Sequence, residues 1–114
     1  MAEPIVLKHH ANSFRETNLK EILDRHDVEE VVVCGAMSHK CVDAGRRAAS
    51  DFGYKCVVVH DACTTRDQEF QIRVVPAAEV HATFMAALQF AYARLVSTEE
   101  DLASKPQQIR CPRS

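Results

Sequence analysis

The sequence lacks a C-x-x-C pair, a basic stripe with interleaved aromatics, and any apolar run of membrane-spanning length. The first absence excludes a zinc ribbon or a thioredoxin-type site and leaves no metal or cofactor to expect. The second, with a formal net charge of -2, argues against a nucleic-acid partner. The third excludes a membrane-spanning helix. Met1-Ala2-Glu3-Pro4 has neither the basic flank nor the apolar block of a secretory signal, so a cytoplasmic protein is expected. Internal repeats and low-complexity blocks are also missing. The five cysteines are odd in number and fall in segments patterned as strands and helices, which fits reduced thiols better than a disulfide framework. What is present is ordinary for a globular domain: 114 residues, 46% hydrophobic and 26% charged, room for one modest core.

The pattern alternates strand and helix. Ile5–Leu7 is a short β-branched run that ends at Lys8. Asn18 is placed to cap a helix over Leu19–His26, with Glu21 three residues later as in a capping box. Val31–Val33 is a continuous apolar run, as in a strand buried on both faces, and Gly35 punctuates its end. Cys41, Ala44, Ala48, Ala49 and Phe52 repeat at helical spacing over Lys40–Phe52, and Gly53 suits a left-handed cap. Cys56–Val59 is a second buried strand, followed by a polar turn from His60 to Asp67. Gln68–Val75 reads ambiguously. Pro76 suits the first turn of a long helix through Ala93, with Val80, Phe84, Ala87, Leu88 and Ala91 on one face. Leu95 and Val96 suggest a last strand, and Thr98 a cap for a short helix over Glu99–Ala103. Residues 1–103 form one domain, and 104–114 a frayed tail. Strands alternating with helices predict an α/β fold with parallel pairing, whose ligands bind at the carboxyl ends of strands.

That rule singles out Lys8 to His10, Gly35 to Cys41, and His60 to Asp67. In the second of these a buried strand runs into a tight turn and Cys41 falls near the start of a helix. Backbone amides and the helix dipole favour a thiolate there and could hold an oxyanion, and the charge of Lys8 would act in the same sense. By pattern alone the other reading stays open: Cys41 as a small buried hydrophobe and Lys8 as an exposed charge.

From Ile5 to about Leu102 the chain resembles the isochorismatase-like cysteine hydrolases. Three blocks carry the resemblance: Lys8 with Ser13-Phe14 and Thr17-x-Leu19; Val31 to Val42 with Gly35, Ser38, Cys41 and Val42; and Gly53-Tyr54 through Val57–Val59 to Asp61-Ala62 and Thr64. Thr65-Arg66-Asp67, Val75-Pro76-Ala77-Ala78 and Val80-His81-Ala82 look closest to the bacterial cysteine-hydrolase branch. The resemblance implies a Rossmann-like three-layer α/β/α fold, with Cys41 as nucleophile and Lys8 as catalytic lysine. It also implies a cis peptide between Ala36 and Met37, and the amides of Met37 and Cys41 as oxyanion hole. The substrate would be a small amide or related carbonyl compound, hydrolysed through a thioester without a cofactor. The family's third catalytic residue, an aspartate ending its first strand, precedes the lysine block. Only Glu3 offers an acid there, so the resemblance covers the carboxyl-terminal part of the domain and lacks the opening strands. That leaves the Val31–Val33 edge without a neighbour and predicts self-association, as a homo-oligomer.

The remaining polar residues are read more plainly. His9 and His10 are read as loop residues, with a place in a pocket lining as the alternative; His39 and Lys40 as surface residues, with substrate contact as the alternative. His81 is packed or exposed, and Asp61 satisfies amides of its own turn. Cys34, Cys56 and Cys63 are strand or turn thiols and Cys111 a tail thiol. Two competing functions remain at this stage: a truncated, non-catalytic remnant of such a hydrolase, and a thiol-based redox or binding module.

Overall fold

Two valine runs set the centre of the molecule. In the computed structural model, which describes residues 3–91, 93–103 and 109–110, they lie side by side as β1 (Glu30–Ala36) and β2 (Lys55–Thr64). The two strands are parallel, with Val31 opposite Cys56 and Val33 opposite Val58. β5 (Arg94–Val96) adds to the far side of β2, also parallel, pairing Val57–Val59. Val31–Val33 and Val57–Val59 are each at most 3% exposed, since a parallel strand inside an α/β sheet is covered on both faces.

The two faces hold different clusters. On one, Val31, Val33 and Val58 pack with Leu19 and Leu23 of α1 (Leu19–Arg25), Ala49 of α2 (Asp43–Asp51), and Met85 and Leu88 of α3 (Ala77–Ala91). On the other, Val32, Val57, Val59 and Val96 pack together with Cys34 and Ala62. The expected α/β class and parallel sheet are what the structure has.

Several local expectations are corrected. Ile5–Leu7 lies outside any described strand, with Ile5 and Leu7 exposed, so Lys8 arrives on a loop rather than a strand end. The capping box at α1 does not form: the Asn18 side chain makes no cap bond, and Glu21 instead pairs with Arg25 one turn on. The helix expected over Lys40–Phe52 is divided into a π-turn, Ser38–Val42, and α2. A π-turn inserts one extra residue per turn and shifts the helical phase. The buried face of α2 is accordingly Gly45, Arg46 and Ala49, and Phe52 is half exposed. Gly53 does take the left-handed conformation, at φ 95°.

Further along, β2 runs through His60–Thr64, where a turn was expected. The ambiguous segment is an antiparallel hairpin, β3 (Gln68–Phe70) with β4 (Arg73–Val75), which holds Phe70, Ile72 and Val74 exposed. In α3 the buried positions are Val80, Met85 and Leu88, and Ala87 faces out. Ser97, not Thr98, caps α4 (Thr98–Leu102), in a true capping box with Glu100. Within the tail expected to fray, Ile109–Arg110 forms β6, parallel to β1 opposite Val31 and Val32. The β1 edge therefore has a neighbour over those two residues. The rest of the tail, Cys111 included, lies outside the described residues.

An aromatic group closes the end of α2. Phe14 meets Phe52 edge-on at 5.2 Å and stacks on Tyr54 at 6.3 Å. The Tyr54 hydroxyl donates to Asp24 at 2.5 Å, and Lys20 pairs with the same carboxylate at 2.7 Å.

Two measurements check this packing. Leu88 is wholly buried, so Leu88→Ala is expected to lower the unfolding free energy in urea by about 2–5 kcal/mol. Phe90→Ser, at a residue 92% exposed, should change it by less than about 0.5 kcal/mol. Equal losses would mean that the core is misassigned. Burial, then the Asp24 carboxylate, pushes the Tyr54 phenol up to about 12. A raised folded pKa gives stability that is complete below the ordinary value of 10.0 and lost as pH climbs through 12. The fall in stability between pH 10 and 12 should therefore be shallower in Tyr54→Phe than in the parent chain.

Candidate active site

The turn after β1 is built by its backbone. Gly35 sits at φ 132°, a conformation open to glycine, and the Ala36–Met37 peptide is cis. Met37 is extended, and its carbonyl accepts from the amides of Lys40 at 3.0 Å and Val42 at 3.2 Å. Those two residues flank Cys41, which lies inside the π-turn just ahead of α2.

Two neighbouring side chains pin this turn to the rest of the fold. The Ser38 hydroxyl, wholly buried, donates to the Thr64 carbonyl at 3.3 Å and lies 2.7 Å from His81 Nδ1. His39 Nδ1 lies 2.6 Å from the Thr65 hydroxyl, and its ring meets Phe84 at 5.9 Å. The end of β2 reaches the turn because the strand register slips. β1 advances from Val33 to Gly35 while β2 advances from Val58 to Cys63, after which Ala36 faces Thr64. The excess residues of β2 form a bulge that carries Thr64 and Thr65 to the cysteine turn.

Lys8 reaches the same place from the loop ahead of α1. Phe14 is buried and anchors that loop, and its amide donates to Asn12 Oδ1 at 2.9 Å. The Thr17 hydroxyl donates to the Ser13 carbonyl at 2.6 Å, and the Leu19 amide donates back to Thr17. Lys8 Nζ itself donates to the Ala11 carbonyl at 3.2 Å. The result is an open cleft of about 340 Å³ lined by Lys8, His9, His10, Ala11, Ala36, Met37, Lys40 and Cys41. Lys8, Cys41 and both residues of the cis peptide thus share one cavity. Among the described residues the lining carries basic side chains and no carboxylate. Glu16 lies 2.9 Å from His10 Nε2, and among the described residues no group of three His, Cys, Asp or Glu side chains is placed to hold a metal.

Four residues make contacts that their spacing did not show. His39 is half-buried and bonded rather than a surface residue, and His81 reaches the cysteine turn. Asp61 reaches beyond its own turn as well, accepting from the Thr98 amide and hydroxyl, both at 2.7 Å, and fixing the start of α4. His10 lines the cleft and pairs with Glu16. Ser38 was visible only as a motif position. Its partner lies 43 residues away, a distance over which sequence spacing carries no signal.

The other described thiols have different surroundings. Burial pushes the Cys63 thiol up to about 11 and raises that of Cys56, and Cys34 packs against the second valine cluster. Alkylation with iodoacetamide under native conditions, read by peptide mass mapping, should therefore label Cys41 first, Cys34 more slowly, and Cys56 and Cys63 last. Faster labelling of Cys34 or Cys56 would remove Cys41 from the centre of the site.

Comparison with known proteins places the whole segment that holds this turn. The sequence model of the Isochorismatase domain matches residues 1–100. An isochorismatase family protein of Bacillus subtilis is 47% identical over 97 residues, covering 85% of this chain and 54% of its own length. Streptothricin hydrolase of Streptomyces noursei is 40% identical over 65 residues, 57% of this chain and 24% of its own. The crystal structure of an Oleispira antarctica protein assigned to the isochorismatase hydrolases superposes with a TM-score of 0.83 at 56% identity. It covers 87% of this chain and 52% of that one. The chain spans about half the length of the first curated relatives it matches. With a domain match across nearly its whole described length, and the same fold in a close relative, the chain belongs to the isochorismatase family of hydrolases.

Proposed function

We propose that this chain carries the nucleophile side of an amidase-type site for a small carbonyl compound. The single observation behind this reading is that Cys41, Lys8 and the cis Ala36–Met37 turn line one open cleft. The Cys41 sulfur attacks the carbonyl carbon, and the carbonyl electrons move onto oxygen. The amides of Met37 and Cys41 receive that oxyanion, and the Lys8 ammonium stabilises the negative charge as it develops. Collapse breaks the carbon–nitrogen bond and leaves a thioester on Cys41, which water hydrolyses to the acid and the free thiol.

An amine leaves only if an acid protonates it, and the thiol proton needs a base. Among the described residues no carboxylate lines the cleft. A group from outside these 114 residues would complete the site, and without it the chain is expected to perform acyl transfer to Cys41 but little amide turnover.

An activated ester separates the two steps, because a phenolate departs without a proton. With p-nitrophenyl acetate the chain should release a burst of nitrophenolate and carry one acetyl group on the Cys41 peptide, and Cys41→Ser should lose the burst. With p-nitroacetanilide, whose amine must be protonated, turnover should be at least about a hundredfold below that of a complete relative. Acetylation of Cys34 in place of Cys41 would sink the assignment, and robust anilide hydrolysis would show that the chain holds its own acid and base.

A further inference from the structure

We infer that His81 is a positioning residue for the cysteine turn, acting through Ser38; this rests on Cys41 being the nucleophile. A serine hydroxyl has one proton, and the Ser38 oxygen lies between two partners. The Thr64 carbonyl can only accept, and the Ser38 hydroxyl donates to it at 3.3 Å. With the Ser38 proton placed there, an Nδ1–H of His81 donating across 2.7 Å to the Ser38 oxygen satisfies all three groups. That arrangement puts a proton on His81 Nδ1. One polarised line, His81 Nδ1–H to Ser38 O–H to the Thr64 carbonyl, ties α3 and β2 to the first residue of the π-turn.

Ser38 stands three residues before Cys41, on the same turn, and is wholly buried. With His81 in place the hydroxyl is closed to water, so losing that partner makes the turn move, leaves the hydroxyl short or admits solvent beside it, and each loosens the turn. His39, bonded to Thr65 and set against Phe84 one turn further along α3, is the adjacent fastening. Ser38 is the more demanding of the two because it is inaccessible.

The test is amide hydrogen exchange over residues 37–42 in the full chain. His81→Ala should speed exchange there by about fivefold to tenfold. His81→Asn, whose side-chain amide nitrogen stands near the place of Nδ1, should restore most of the protection. His81→Ala combined with Ser38→Ala should exchange no faster than Ser38→Ala alone, since both remove the same bond. If His81→Ala fails to fold, His81→Leu replaces it, keeping the bulk and removing the donor. Unchanged exchange, an Asn variant no better than Ala or Leu, or additive effects in the double variant would overturn the inference. Acetylation by p-nitrophenyl acetate is followed in the same set. A fastened turn with an unreactive Cys41 in the parent chain would defeat the nucleophile reading while leaving the His81 bond intact. Supported together, the two predict that His81→Ala slows Cys41 acetylation by about fivefold and that His81→Asn recovers it.

Discussion

The register slip between β1 and β2 is the constraint on which the reactive end of the molecule depends. Up to Val33 and Val58 the strands are a regular parallel pair, and their valines make the core on both faces. Beyond that point β2 bulges, and the two chains meet again only at Gly35 and Cys63. The bulge delivers the Thr64 carbonyl and the Thr65 hydroxyl to the place where β1 turns through its cis peptide into the π-turn. With regular pairing, Thr64 would stand several residues past the turn and Ser38 would lose its acceptor. The hydrogen bonds that fix Cys41 therefore follow from an irregularity in the sheet.

The site divides into a rigid half and an open half. Behind Cys41, Ser38 is sealed, Val42 is in the core, and His39 is fastened between β2 and α3. In front of it, the cleft is open and walled by a loop that carries Lys8, His9 and His10. That loop has no strand to hold it and depends on Phe14 in the aromatic group, and on turns made by Asn12 and Thr17. Cys41 thus stands on rigid backbone and faces an open, basic cleft. The basic lining favours acidic groups in contact with the cleft, by charge complementarity.

Much of this was readable in the residues. The valine runs announced buried parallel strands, Gly53 announced the left-handed end of α2, and Cys41 stood out by its position after a strand and before a helix. The blocks around Lys8, Cys41 and Asp61 pointed to the isochorismatase family, which the comparisons establish. Errors fell where a local signal had a competitor. Asn18 and Glu21 have the spacing of a capping box, but Glu21 found Arg25 one turn on. Thr98 could cap a helix, but Ser97 could too, and it had Glu100 at the right distance while Thr98 went to Asp61.

The sequence by itself determined the two buried valine strands, the helices that flank them, their order, and which thiol stands between a strand and a helix. Those depend on periodicity and on short-range chemistry, which neighbouring residues carry. Tertiary structure alone decided the bulge in β2, the phase of α2 and the meeting of Ser38 with His81. Each of these depends on where chain segments far apart in sequence come to rest against one another. A bulge is chosen by what both strands must reach, and an extra residue in a turn by what must be buried on either side of it. A hydrogen bond across 43 residues has no local signature, because the backbone fold and not the spacing brings its partners together.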